Sequence, residues 1–110
     1  MRTLLPFLII SALPAAAQDC SFDTECFEAE ACQPTSFALS VDLAGEKLVT
    51  DFGDLQIVAA KTTPPLTTLF ATGDGAEYLL SRSGDTARFT AHANEGPAVI
   101  SYLGTCKGEF

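Results

Sequence analysis

The chain of 110 residues is poor in basic side chains and in groups that serve catalysis. It has six lysines and arginines against 14 aspartates and glutamates, one histidine and no tryptophan. The formal net charge of −8 argues against nucleic acid and against anionic membrane surfaces as partners, because both are bound through basic patches. It permits a basic protein as partner, although solubility alone also accounts for an acidic surface.

The sequence patterns of nucleophilic, redox and phosphate-binding sites are also missing. No serine lies in a G-x-S-x-G elbow, no C-x-x-C pair occurs, and Gly73-Asp74-Gly75 lacks the Gly-Lys-Ser/Thr ending of a phosphate loop. The one histidine, His92, falls on the predicted solvent side of a strand, so a polar surface role is a simpler interpretation than a general base. We therefore predict no catalytic residue, no metal site and no cofactor.

No apolar run is long enough to span a membrane as a helix. Residues 4–13 form an apolar stretch of ten residues, where a bilayer needs about 20. A positive charge precedes it and Ala15-Ala16-Ala17 follows as an A-x-A pattern, so residues 1–17 are predicted to be a secretory signal peptide cleaved after Ala17. Cleavage removes one arginine and leaves a net charge of −9. We expect a periplasmic or secreted protein without membrane attachment.

Four cysteines in a small exported domain predict two disulfides. Cys20, Cys26 and Cys32 follow an even C-x5-C-x5-C spacing, and Cys106 lies almost at the C-terminus. We favour Cys20–Cys26 with Cys32–Cys106, because Cys32 precedes the first clear strand, Cys106 ends the last, and a barrel would bring those strands together. Cys20–Cys106 with Cys26–Cys32, and the crossed Cys20–Cys32 with Cys26–Cys106, stay open. The spacing and the oxidising compartment disfavour zinc.

Residues 18–35 form an acidic, cysteine-rich segment with five carboxylates and no basic residue. Asp23 is a candidate cap for a short helix over residues 24–31. Calcium would use such carboxylates, but the segment lacks the D-x-D-x-D-G pattern of a calcium loop, and a solvated acidic face is the simpler interpretation. Phe22, Phe27 and Phe110 are candidates for a recognition patch, with Phe22 and Phe27 expected to pack over the disulfides.

Residues 36–110 predict an antiparallel β domain that forms one domain with the preceding segment. Phe37, Leu39, Val41 and Leu43 alternate with small or polar residues, as in a half-buried strand. Turn residues then recur every 8–12 residues, and Ser83-Gly84-Asp85 gives a strong hairpin signal. Because proline cannot donate to a ladder, residues 61–66 are predicted to be a loop or an edge. The pattern favours about seven strands closing as a small barrel or sandwich.

The layout of Cys32 and Cys106 resembles that of the periplasmic inhibitors of c-type lysozyme, which are small antiparallel barrels. A G-x-x-Y stretch, here Gly75-Ala76-Glu77-Tyr78, strengthens the resemblance. Asp74 stands where the family has serine, and Phe89-Thr90-Ala91-His92 stands where it has a W-x-K-G type stretch. Both inhibitory contacts of the family are therefore missing. The resemblance implies the barrel fold, and it does not carry the inhibitory activity with it.

The opening Asp19-Cys20…Cys26-Phe27, a D-C-x5-C-F pattern, is similar to small uncharacterised periplasmic proteins of Gram-negative bacteria, and that similarity implies no activity. The sequence thus predicts a non-enzymatic binding or interaction module, whose binding residues it does not identify. The alternative is an inhibitor of a basic enzyme such as c-type lysozyme.

Overall fold

Eight antiparallel strands close into a barrel in a computed structural model that describes residues 18–108. Each strand pairs with the next along the chain, and the last pairs with the first. The strands are β1 (Gln18–Phe27), β2 (Gln33–Asp42), β3 (Lys47–Thr50), β4 (Gly53–Thr63), β5 (Leu66–Gly73), β6 (Ala76–Ser83), β7 (Thr86–Ala93) and β8 (Val99–Cys106). The predicted all-β barrel is confirmed, with eight strands where the turn pattern indicated seven. Among residues 18–108, no helix is long and apolar enough to cross a membrane.

The additional strand is β1, which lies where a short helix over residues 24–31 was predicted, and that prediction is wrong. β1 pairs with β2 on one side and with β8 on the other, so both sides of its backbone are hydrogen-bonded. An isolated helix of this length would be marginal in water. A bulge between Phe22 and Thr24 shifts the register on both sides. The bulge breaks the period-two pattern that would otherwise have marked a strand.

Glycine is required opposite this bulge. A Cβ atom on Gly104 of β8 would overlap the Ser21 carbonyl oxygen and lie 2.6 Å from the Cα atom of Phe22. Strands β1 and β8 can therefore approach each other closely at this point because position 104 has no side chain.

The β4–β5 hairpin extends further than predicted. Residues 61–63, predicted to be a loop or an edge, continue β4 and pair with β5 on one side only, so the edge alternative is confirmed; β5 begins at Leu66. Pro64 and Pro65, joined by a cis peptide bond, form the two-residue connection. Neither proline occupies a ladder position, so the lack of an N–H group interrupts no strand.

Apolar side chains from all eight strands fill the barrel. Every residue of the described chain that is buried as a whole is apolar. The alternation predicted for β2 is confirmed at Leu39 and Val41, which are 3% and 0% exposed, and it ends at Leu43, which lies in the following turn and is 43% exposed. The remaining fully enclosed aliphatic side chains are Leu48, Leu55, Leu69 and Leu80.

Both disulfides form, but the favoured pairing is wrong. The bonds are Cys20–Cys106 and Cys26–Cys32, which is one of the two pairings left open. The pairing differs because β1 lies between β2 and β8, which places Cys20, and not Cys32, directly opposite Cys106 in the ladder. Cys26–Cys32 instead closes the connection that leads from β1 into β2.

The connections divide between two ends of the barrel. Connections 28–32, 51–52, 74–75 and 94–98 lie at one end, which we call the mouth end. Connections 43–46, 64–65 and 84–85 lie at the other, together with the start of β1 and the end of β8; we call this the terminal end.

Candidate functional site

A cluster of aromatic rings occupies the half of the barrel near the mouth end. Neighbouring ring centroids are 4.8–6.3 Å apart, within the range of favourable aromatic contacts. Tyr78 and Phe89 stack with an interplanar angle of 8°, and Phe37 contacts Tyr102 at the shortest distance. The six members of the cluster are Phe22, Phe37, Phe52, Tyr78, Phe89 and Tyr102.

Above these rings the barrel opens into a cavity of about 210 Å³, which we call the aromatic cavity. Phe89, 1% exposed, lies deepest, and Phe52, 46% exposed, lies at the rim in the β3–β4 connection. The phenyl ring of Phe52 stacks on Phe37 at 6.1 Å between centroids. The lining side chains are Phe52, Asp74, Tyr78, Phe89, Ala91, Ile100 and Tyr102.

The cavity exists because small residues flank a large one in the ladder. Tyr78 on β6 lies opposite Ala71 on β5 and Ala91 on β7. Both alanines share its inward-facing side, as the burial of Ala71 and the core contact of Ala91 show. Of the two alanines, Ala91 lines the aromatic cavity, and its methyl group leaves space beside the Tyr78 ring.

Two tyrosine hydroxyls are the titratable groups whose environment is most altered. Burial raises the pKa of Tyr78, and the charges of Asp74, Tyr102 and Glu77 raise it further. Burial also raises the pKa of Tyr102, with a smaller effect from Glu25. Both phenols therefore stay neutral and able to donate hydrogen bonds at physiological pH.

The charges of the barrel separate between its two ends. In the half nearer the mouth end lie nine acidic residues and no lysine or arginine among residues 18–108: Asp23, Glu25, Glu28, Glu30, Asp51, Asp54, Asp74, Glu77 and Glu95. The half nearer the terminal end has four acidic residues, Asp19, Asp42, Glu46 and Asp85, and the five basic residues Lys47, Lys61, Arg82, Arg88 and Lys107.

One ion pair joins the two halves, with Lys47 Nζ 3.4 Å from Asp54 Oδ2. Even with Asp54 compensated in this way, the aromatic cavity opens into a strongly negative potential.

The connection 28–32 is held against the barrel by two kinds of link. Glu28, in the left-handed conformation with φ of 53°, donates its backbone N–H to the Val99 carbonyl oxygen at 3.1 Å. The Val99 N–H in turn donates to the Glu28 carboxylate. The Cys26–Cys32 bond then closes the connection. These links fix the rim of the mouth end on this side.

The structure separates the residues that the sequence singled out. His92 is exposed on β7 opposite Glu77 and Val99, and it does not line the aromatic cavity. Phe22 is buried in the core, whereas Phe27 is 42% exposed. Phe110 and the predicted signal peptide lie outside the described residues. Within residues 18–108, no three histidine, cysteine, aspartate or glutamate side chains converge on a metal position.

A larger and more open groove lies along the wall formed by β1, β2 and β3, with a volume of about 410 Å³. Its polar side chains bind each other, since the Ser40 hydroxyl donates to the Asp19 carboxylate at 2.9 Å. The aromatic cavity is the stronger candidate because four aromatic side chains, two of them tyrosines, line it.

Comparison with protein-family models, with curated proteins and with solved structures found no match to this chain. The two disulfides are typical of a protein that folds in an oxidising, extracellular-type environment. The aromatic cavity itself was missed at the level of sequence, because Phe52, Tyr78 and Tyr102 belong to three segments that only the barrel brings together.

Proposed function

We propose that this protein is a non-enzymatic binding module of the cell envelope, and that its aromatic cavity receives a cationic group of a basic partner. One observation carries the proposal: a cavity walled by aromatic rings opens in a half-barrel with nine carboxylates, of which Asp54 is paired with Lys47. Export of the chain, by the signal peptide predicted over residues 1–17, would place it in the periplasm or outside the cell.

The acidic half of the barrel and the aromatic cavity would act on a partner at different distances. The acidic half of the barrel attracts a basic partner and raises its rate of association. A cation over an aromatic face then gains about 0.5–2 kcal/mol, with the larger value for a desolvated position. Phe52 at the rim, together with Tyr78 and Tyr102 in the wall, presents such faces, and the neutral phenols supply hydrogen-bond donors.

The size of the cavity indicates how much of the partner enters. About 210 Å³ is less than the roughly 300–1,000 Å³ of ordinary small-molecule sites. One head group, such as the guanidinium of arginine or the ammonium of lysine, is therefore a better fit than a whole metabolite.

A titration with short peptides tests the proposal. We expect an acetylated and amidated Gly-Arg-Gly peptide to shift the amide NMR signals of Phe52, Tyr78 and Tyr102, and an equivalent Gly-Glu-Gly peptide to leave them unchanged. Raising the salt concentration should weaken binding, because the long-range attraction is screened. Equal shifts with both peptides, or shifts confined to other strands, would contradict the proposal.

The chain offers a matched control for this titration. Phe52→Ala and Phe27→Ala each remove an exposed phenyl ring at the mouth end, but only Phe52 lines the cavity. We expect Phe52→Ala to weaken binding of the arginine peptide several-fold, about 1 kcal/mol, and Phe27→Ala to leave it nearly unchanged. Equal losses would point to general apolar contact instead.

Inhibition of a basic enzyme such as c-type lysozyme is a second candidate. The observation that favours it is the position of Gly75-Ala76-Glu77-Tyr78, which begins in the β5–β6 turn and reaches the aromatic cavity. We expect tight, salt-sensitive capture of lysozyme and a slower lytic rate if this candidate is correct. An unchanged lytic rate with excess protein would remove it while leaving the arginine-peptide titration to decide the main proposal.

A further inference from the structure

Asp74 is the one charged residue among the seven that line the aromatic cavity. It lies in the two-residue turn between β5 and β6, where its φ of 45° and the φ of 77° at Gly75 are both left-handed. Hairpin turns with positive φ at both positions prefer Asp-Gly and Asn-Gly pairs. The turn would therefore accept asparagine as well as aspartate, and its geometry does not require the negative charge.

The turn that carries Asp74 is held in place beside the cavity. The Asn94 backbone N–H donates to the Gly75 carbonyl oxygen at 2.9 Å, which ties the turn to the connection 94–98. Asp74 itself is exposed at the mouth end, so its carboxylate belongs to the rim of the cavity. A cation that enters the cavity thus meets this carboxylate on its way to the rings.

The neighbouring carboxylate of Glu77 is not placed to do the same. Glu77 is exposed on β6 opposite Thr72, and it does not line the cavity. Its carboxylate accepts hydrogen bonds from the Thr72 hydroxyl at 3.2 Å and from the Asn94 side-chain amide at 3.4 Å. Of the two carboxylates whose charges act on the Tyr78 hydroxyl, Asp74 has the larger effect and is the one at the cavity.

Three oxygen-bearing groups lie close together at this side of the cavity. The charges of Asp74 and Tyr102 both raise the pKa of the Tyr78 hydroxyl, which requires that the three groups are near one another. Carboxylate and phenol oxygens all accept hydrogen bonds. A guanidinium group donates several N–H groups in one plane, pairs with a carboxylate through two parallel hydrogen bonds, and stacks its face on an aromatic ring. A lysine ammonium is a compact, strongly hydrated charge and gains less from flat ring faces.

We propose that Asp74 is the anionic contact of the aromatic cavity, and that the cavity selects arginine over lysine side chains of a basic partner. This inference rests on the proposed function, which leaves open the cation that enters. The guanidinium plane would lie against Phe52 at the rim, with its N–H groups directed to the Asp74 carboxylate and the Tyr78 hydroxyl. A quaternary ammonium group could use the rings, but it has no N–H group to donate to the carboxylate.

A titration of the parent chain with capped Gly-X-Gly peptides tests this selection, where X is arginine, lysine or trimethyl-lysine. We expect the arginine peptide to bind at least about fivefold more tightly than the other two, measured by the amide NMR shifts of Phe52, Tyr78 and Tyr102. Equal or tighter binding of the lysine or trimethyl-lysine peptide would overturn the inference but not the proposed function. No shift at these residues with any of the peptides would contradict both.

Two charge variants separate a contact with Asp74 from long-range attraction. Asp74→Asn and Asp51→Asn each remove one negative charge from a connection at the mouth end, but Asp51 lines the groove of β1, β2 and β3 and not the aromatic cavity. We expect Asp74→Asn to weaken binding of the arginine peptide about fivefold and Asp51→Asn less than about twofold. Because asparagine suits the turn, urea unfolding should give the same stability for Asp74→Asn as for the parent chain.

Equal losses of affinity in the two variants would overturn the inference, because the charge of Asp74 would then act only at long range. If the arginine peptide still shifts Phe52 and Tyr102 in both variants, the proposed function is retained without Asp74 as its anionic contact.

Discussion

At the scale of single residues, Tyr78 belongs both to the core of the barrel and to the lining of the aromatic cavity. Its ring stacks on Phe89 and fills the barrel, while its hydroxyl lies where Asp74 and Tyr102 also face the aromatic cavity. A phenylalanine would supply the same packing without the hydrogen-bond donor. The hydroxyl therefore marks the boundary between the core and the proposed binding surface.

The raised pKa values of Tyr78 and Tyr102 predict a loss of stability at high pH. Because the folded state holds these protons more tightly than the unfolded chain, their contribution is complete below the ordinary tyrosine pKa of 10.0. It is lost as the pH rises through the folded-state values. We expect the free energy of unfolding in guanidinium chloride to be nearly equal at about pH 8 and pH 9, and to fall by about pH 11.

The Tyr78→Phe/Tyr102→Phe double variant is the control for this pH dependence, since lysines also titrate in the alkaline range. The decline between about pH 9 and pH 11 should be smaller in the double variant than in the parent chain. An identical decline in both proteins would show that other groups cause it.

At the scale of elements, the strands with regular alternation and clear turns could be predicted from sequence, and β7 is the clearest example. Its Ala87 and Phe89 face inward, and the predicted hairpin turn at Ser83-Gly84-Asp85 directly precedes it. β1 could not be predicted, because the bulge after Phe22 disrupts the alternation and five carboxylates favour helix capping over strand formation. The disulfide pairing was wrong for the same reason.

The short disulfide Cys26–Cys32 predicts a local effect on the mouth end. Replacing both cysteines with alanine should cost about 2.4 kcal/mol of stability by the loop-entropy relation, since the bond closes a small loop. The Glu28 and Val99 amides, which this connection holds together, should then exchange hydrogen faster. Urea unfolding gives the first quantity and amide exchange by NMR gives the second.

Residues on β5 and β6 provide the internal reference for that exchange experiment, since the bond lies far from them in the ladder order. The protection of their amides from hydrogen exchange should fall only by the amount that the loss of global stability causes. Unchanged exchange at Glu28 and Val99 would mean that backbone bonding alone fixes the connection 28–32.

At the scale of the whole molecule, the separation of charge is a property of the barrel and not of the sequence. Glu77 and Arg82 are near neighbours along the chain, yet they divide between the two halves because β6 carries the chain from one end to the other. A count of charges gives the net value but not its distribution. The aromatic cavity was missed for the same reason, because its walls come from three strands and two connections.

The long disulfide Cys20–Cys106 should contribute more to stability than the short one. It joins residues separated by 86 positions, and the loop-entropy relation gives about 4.6 kcal/mol. We expect Cys20→Ala/Cys106→Ala to lower the free energy of unfolding by more than Cys26→Ala/Cys32→Ala does, measured by urea unfolding of both variants. The reverse order would mean that pairing of β1 with β8 already confines the unfolded chain, or that strain offsets the benefit of the long bond.

The Cys20–Cys106 bond also has a consequence for proteolysis. All seven connections between the strands lie between these two cysteines in the chain, so the bond makes the barrel a covalent ring. A protease that cuts one exposed turn opens the ring but releases no fragment, and the strands on both sides of the cut keep their neighbours. On a denaturing gel, the nicked protein would migrate as one species without reductant and as two fragments after reduction.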